Sequence, residues 1–362
     1  MMLMNRKPQG VLRRGWSTGA CAAAAARAAY QALLTGTFPD PVTIRLPKGE
    51  TPSFVLAERK LENNAASAGI IKDAGDDPDV THGALVIAHV CLGSAGSGIS
   101  FHAGAGVGTV TKPGLPIPPG EAAINPGPRV LIGEMLSEVA AENGVSLDVS
   151  VTLSIPNGEV IAERTWNPRL GIVGGLSILG TTGIVIPYSC SAWIHSIRQG
   201  IDVARATDVG HIAGATGKTS EAAVRRIHGL DEASVIDMGD FVGGMLKYLD
   251  GHPIPRLTIA GGFAKLTKLA QGHLDLHSSR SQVDFEKLAD MVSGLGGSPE
   301  LLAAVRGANT AAEVLSITDN LPLGEAVATA ARASALGRLS GQVALDVLVI
   351  GREGKLVGHA GP

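Results

Sequence analysis

The chain has 362 residues, of which 45% are hydrophobic and 17% charged, with a formal net charge of −3. Such a composition excludes a disordered chain, and the lack of any basic stripe with interleaved aromatics excludes nucleic acid as a partner. At roughly 150 residues per domain, the length predicts two domains, each large enough to bury a core.

In chain order, the first residues carry positive charges with no apolar stretch behind them, so no secretory signal is expected. No apolar run reaches the ~18 residues of a membrane span. Cys21, Cys91 and Cys190 form no C-x-x-C pair and no disulfide frame. These features predict a cytoplasmic protein without a membrane partner. Ser17 caps an Ala-rich helix that ends near Gly36. Cys21, near the start of this helix, is read as a small buried residue or as a thiol with a lowered pKa. Strands are predicted at 42–46 and 52–58, an acidic loop at 71–83 and a strand at 84–90. Residues 104–120 are rich in Gly and Pro and predict irregular chain. A helix follows at 128–143, then an antiparallel strand at 149–155 and a hairpin-like turn at 156–159.

Beyond residue 200 the pattern alternates. Strands are predicted at 208–213, 234–237, 256–260 and 343–350, with helices at 218–228, 240–249 and 264–271 and more up to about 339. The fold class expected is therefore mixed, α+β and α/β. Residues 1–200 form an α+β domain with a mixed sheet and glycine-rich loops. Residues 201–362 form an α/β domain with a mostly parallel sheet.

The run Ile71-Lys72-Asp73-Ala74-Gly75-Asp76-Asp77-Pro78-Asp79-Val80-Thr81-His82-Gly83 places four carboxylates and an imidazole in a stretch that cannot be helical. It lacks the spacing of a Ca²⁺ loop. Like charges this dense need solvent, a cation or hydrogen-bond donors. Gly104, Gly106 and Gly108 resemble a dinucleotide fingerprint only in glycine count, because proline-rich chain follows instead of a helix. A closely packed loop and a ligand-facing loop both remain open there, the second with Lys112, Glu121, Asn125 and Arg129 nearby. Gly214-Ala215-Thr216-Gly217-Lys218-Thr219 falls short of a P-loop, since Ile212 stands where the first Gly is needed. A strand, a glycine turn and a helix followed by Asp237 still suit an adenosine moiety, whose ribose such an acid binds. A plain βα turn is the alternative. His273 and His277 have i, i+4 spacing but no Glu between them, so surface histidines are expected.

Together these segments resemble the CbiD family, the cobalt-precorrin-5B C1-methyltransferases of cobalamin biosynthesis. The matching stretches are 18–24, the acidic run, Gly106 to Leu115, Gly120-Glu121, 123–126, Pro128-Arg129, the long run Asn167 to Val185, and Lys265-Leu266-Thr267-Lys268-Leu269-Ala270. They span most of the chain in order. The resemblance implies methyl transfer from S-adenosylmethionine to C1 of cobalt-precorrin-5B, giving cobalt-precorrin-6A. The same transfer to a metal-free precorrin, and a tetrapyrrole scaffold without catalysis, are the alternatives.

On that reading the partner is a small tetrapyrrole. Any cobalt belongs to the substrate, no protein-bound metal is expected, and a homo-oligomer is left open. His82, Asp77 and Asp73 are the candidate catalytic residues, with His82 as acid/base. Lys112, Asn125, Arg129, Asn167, Arg169, Thr181 and Thr182 are candidates for holding substrate carboxylates. Asp76, Asp79, Gly104, Gly106, Gly108, Gly214, Thr216, Gly217 and Asp237 are candidates for the methyl donor.

Overall fold

The computed structural model describes residues 10–341 and 343–362. The chain divides into two compact units, one ending at Ser189 and the other running from Cys190 to Pro362. The break precedes the residue-200 position read from the sequence because the helix Cys190–Ala206 packs within the second unit, against the helix Val242–Gly251 and the strand Val235–Asp237.

The first unit is built on a five-stranded sheet, in the order Glu58–Leu61, Ala65–Ile71, Leu85–Leu92, Val149–Ser154, Ile99–Ala103. Neighbours run antiparallel except the last pair, which is parallel. Strand alternation sends Ala66, Ala68 and Ile70, Val86, Ala88 and Val90, and Val149, Val151 and Leu153 to one buried face. The helix Thr18–Thr35 covers that face, and its alanines from Ala20 to Ala26 are wholly buried around Cys21. Side chains this small let the helix lie close to the sheet and to its neighbour, the helix Pro126–Asn143. The opposite face is polar, with Ser67, His89, Thr152 and His102 in register across four strands.

Ala65–Ile71 and Ile99–Ala103 were not signalled by the sequence pattern, and of Glu58–Leu61 only Glu58 was. The first reads AASAGII, whose small residues have weak strand propensity, and it forms because strands on both sides pair with it. Of the two early predicted strands, Val42–Thr43 and Ser53–Phe54 pair with each other, and Glu58 pairs with Gly69 in the main sheet. The hairpin expected at 156–159 does not form. Gly158 lies against the backbone of Gly106, so the chain turns there into the short helix Gly158–Ala162.

The second unit holds a five-stranded sheet in the order Val235–Asp237, His211–Ala215, Arg256–Gly262, Ala344–Ile350, Leu356–Ala360. The first four strands are parallel and the last is an antiparallel edge. Helices cover it, so its strands are almost continuously apolar: Ile212, Ala213 and Ala215; Leu257, Ile259 and Ala260; Val347 to Ile350. From the His211 strand the chain steps out to the Val235 strand, then crosses back to the Arg256 strand on the other side. The strand order therefore reverses between His211–Ala215 and Arg256–Gly262, which opens a crevice at their carboxyl ends. Among the described residues no helix is long and apolar enough to cross a membrane.

Candidate functional site

In the first unit, the motif segments converge at the amino ends of the two long helices. Ser17 caps the helix Thr18–Thr35 by accepting from the N–H of Ala20 at 3.1 Å. Thr18 Oγ1 both donates to and accepts from the backbone of Leu179, and the N–H of Gly19 donates to Leu179 O at 3.0 Å. The N–H of Asn125, just before the second helix, donates to Ile178 O at 2.9 Å. Gly127 faces Thr181 across the same loop, where a Cβ would lie 3.3 Å from Thr181 Cα. Exposed Thr181 and half-buried Asn125 and Thr182 thus lie beside two helix N-termini, a setting that favours anionic groups. Val110 pairs with Ile172, and Lys112 packs on Gly171, which brings Lys112 toward the segment bearing Arg169. Arg169 lies over the Trp166 ring at 5.8 Å.

Thr182 Oγ1 donates to Ile184 O at 3.4 Å and accepts from its N–H at 3.3 Å, and two further substrate candidates are more fully engaged. Arg129 donates to the carbonyls of Ile124 and Ala122, pairs with Glu121 at 2.8 Å and lies over Phe101. Asn167 is buried and links Gly175 O to Ser177. Both shape the loop from within.

The acidic run turns its carboxylates toward groups of the chain itself. Arg13 binds Asp73 through both terminal nitrogens, and Asp73 also accepts from the N–H of Gly75 at 2.9 Å. The Arg13 hydrogen bond holds the Asp73 carboxyl down to about 2. Asp76 accepts from the N–H of Arg13 at 2.6 Å. Asp79 pairs with buried Lys72 and accepts from Thr81 through both N–H and Oγ1. Asp77 accepts from the N–H of Tyr188 at 2.8 Å, and burial raises its carboxyl above the ordinary value. His82 is 55% exposed, and its Nδ1 accepts from the N–H of Ala74 at 3.1 Å. The run is a clasp that fixes residues 13–16 and 183–188 around the capped helix.

The first glycine run is also internal. A Cβ on Gly106 would lie 1.9 Å from Ile155 O, one on Gly104 2.1 Å from Ser154 Oγ, and one on Gly108 2.5 Å from Ile172. These positions face the chain's own backbone and side chains, as a closely packed loop does.

In the second unit the crevice is lined by Ala215 to Gly217, Asp237 to Asp240 and Gly261 to Lys265. Gly217 and Gly262 have no atom within 4 Å of a Cβ position, so both edges stand open. Gly214 does not, since Met245 and Met238 fill its Cβ position, and it is a packing residue. Thr216 is buried, and Lys265 Nζ donates to its carbonyl at 2.9 Å while pairing with Asp240 at 3.0 Å. Asp237 ends its strand and accepts from the N–H of Gly239 at 3.2 Å. Trp193 donates from Nε1 to Asp237 O at 3.0 Å, with its partly exposed ring over Gly239. Trp193 and Lys265 were missed as lining residues. Trp193 precedes the alternating pattern, and nothing short of the fold brings it to Asp237. His273 and His277 lie beyond the end of the helix Phe263–Ala270, so their spacing stacks no imidazoles.

A clasped α+β unit joined to a doubly wound unit with a glycine-edged crevice defines a two-unit protein of mixed α+β and α/β class. The CbiD profile matches residues 5–187, and the CbiD C-terminal domain profile matches residues 275–361. The cobalt-precorrin-5B C(1)-methyltransferase of Paramagnetospirillum magneticum is 60% identical over 350 residues, covering 96% of this chain and 98% of that protein. The protein of the same name from Methylorubrum extorquens is 58% identical over 351 residues, covering 96% and 97%. A crystal structure of the cobalamin biosynthesis protein CbiD from Archaeoglobus fulgidus is 30% identical and covers 75% of this chain and 84% of that one, with a TM-score of 0.41. The chain belongs to the CbiD family.

Proposed function

We propose that this protein methylates C1 of cobalt-precorrin-5B, with S-adenosylmethionine as the methyl donor, in cobalamin biosynthesis. The observation that carries this reading is the 60% identity, over nearly the whole of both chains, to a relative that bears that name.

We assign the donor to the crevice of the second unit. Its support is the strand reversal flanked by two open glycine positions, at Gly217 and Gly262, with Asp237 at the end of the adjacent strand. Asp237 would hold ribose hydroxyls, and the Thr216–Gly217 turn would lie along the nucleoside. S-adenosylmethionine supplies, when bound, a sulfonium methyl that needs no further activation to leave. The chain's own part is then mainly to bind and orient.

The substrate's carboxylate arms are assigned to Lys112, Asn125, Arg169, Thr181 and Thr182, next to the two helix N-termini of the first unit. These groups give positive charge and neutral donors.

The test has two parts. Methyl-labelled donor with cobalt-precorrin-5B is expected to label the corrinoid and release S-adenosylhomocysteine; a folded protein that does neither refutes the activity. Calorimetry with S-adenosylhomocysteine tests the crevice separately. Asp237→Ala is expected to weaken binding by about tenfold, the worth of one or two lost hydrogen bonds. Unchanged binding removes the crevice assignment and leaves the activity standing.

A further inference from the structure

We propose that the second unit also carries a site for a divalent first-row transition ion, of which Zn²⁺ is the type, formed by His211, His228 and Asp346. It lies at the amino ends of the parallel strands, the opposite edge from the crevice. His211 opens its strand, His228 closes the helix Lys218–His228, and Asp346 is near the start of the strand Ala344–Ile350. One donor atom from each lies within 4.8 Å of the other two.

Three observations favour a ligand there. First, His228 Nε2 is buried with no hydrogen-bond partner, 3.8 Å from Asp346 Oδ2. A buried polar atom left alone is costly, and an ion would satisfy it. Second, the rings of His211 and His228 meet edge to face at 5.0 Å, and His211 Nε2 bonds Thr258 Oγ1 at 2.8 Å, so an ion drawing on that nitrogen displaces the hydroxyl. Ligands around a tetrahedral ion with bonds of about 2.1 Å are about 3.4 Å apart, so the donors must close in by up to about 1.4 Å on binding. Third, the site has an approach from water. Exposed His359 flanks the Gly361 position that also borders Asp346 Oδ1.

The donor set decides the class of ion. Two imidazoles with one carboxylate suit Zn²⁺, Co²⁺ or Ni²⁺, whereas Mg²⁺ and Ca²⁺ take oxygen shells. The ion has a competitor. Arg256 donates to Asp346 Oδ2 from Nε at 3.0 Å and from Nη2 at 2.5 Å, and Thr258 donates to the same oxygen at 3.2 Å. The Arg256 side chain is 41% exposed, while Asp346 is 1% exposed. Arg256 can therefore yield to the ion and swing into water, and the site trades one cation for another. No motif spacing announces this site, because His211, His228 and Asp346 lie far apart along the chain.

The test uses the tag-free full chain, stripped by chelator and dialysed. Co²⁺ is followed by its visible absorption and Zn²⁺ by calorimetry and by displacement of Co²⁺. One equivalent per chain is expected. His228→Gln should weaken binding by at least about tenfold, and Arg256→Gln should tighten it. A doubly substituted control, His273→Ala with His277→Ala, should bind as the parent does. If His228→Gln does not fold by circular dichroism, His211→Gln takes its place. Absence of saturable binding to the parent, or equal binding by the folded His228 or His211 variant, overturns the site. Unchanged affinity in Arg256→Gln overturns the exchange of cations.

Discussion

The ammonium of Lys72, on a side chain only 2% exposed, is held between the carboxylate of Asp79 and Thr81 Oγ1, the latter at 2.6 Å. The clasp around residues 72–83 is tied to this buried pair. Asp79→Asn would leave Lys72 with a buried, unneutralised charge, and a loss of about 3 kcal/mol is expected, at the low end for breaking such a pair because Asp79 is partly exposed. Chemical denaturation of the parent and the variant measures it. Adding Lys72→Met to that variant should restore part of the loss, and a further loss of similar size would show that the pair is not coupled.

Acid should loosen the same clasp. Burial opposes ionisation of Asp79, but the charge of Lys72 and the hydrogen bonds from Lys72 and Thr81 outweigh it, so its folded pKa is lowered. Asp73 is held at about 2, mainly by the Arg13 hydrogen bond. A depressed folded pKa contributes stability above the unfolded value of about 3.9 and loses it as pH falls through the folded value. The first unit should therefore lose stability between about pH 4 and pH 2. Asp73→Asn should flatten that limb of the melting-temperature profile, and an unchanged limb would remove Asp73 from the account.

The thiols should divide by burial. Cys21 is wholly buried, and burial pushes its pKa up to about 12. Its place at a helix start does not lower it, against one of the two sequence readings. Cys91 is half-buried on the polar sheet face, its Sγ 3.1 Å from His89 Nε2. Iodoacetamide at mildly alkaline pH is expected to label Cys91 and spare Cys21 in the folded protein, as peptide mass spectrometry will read. Labelling of Cys21 without unfolding would contradict the packing of its helix.

Two glycines should fail in opposite ways. Gly106→Ala puts a carbon against Ile155 O in a left-handed backbone and should cost at least about 2 kcal/mol or prevent folding. Gly262→Val meets open space at an ordinary φ of −67, so stability should hold while S-adenosylhomocysteine binding weakens. Equal melting temperatures for parent and Gly106→Ala would return the first glycine run to the list of ligand loops.

The second unit was legible in the sequence because strand and helix periods alternate there with little interruption. The predicted helix at 218–228 coincides with the observed Lys218–His228. In the first unit the long helices were readable, since Ser17 and Gly36 bracket one and a Pro-Gly-Pro start marks the other. Its sheet was only half readable, because AASAGII owes its extended form to neighbours and not to its own side chains. The site was least readable. Carboxylate density drew attention to residues 73–79, yet a sequence cannot say whether an Asp faces a ligand or the N–H of Arg13. The partnership of Asp237 with Trp193 likewise depends on tertiary contact alone.

The buried alanine helix has a mechanical consequence. Alanine has no rotamers to exchange, so a rod clothed in methyl groups has no soft side chains through which it can shift against the sheet. Its capped end, which anchors the 179–183 loop, therefore inherits the stiffness of the backbone itself. The many small residues at 20–32 are the means of that stiffness.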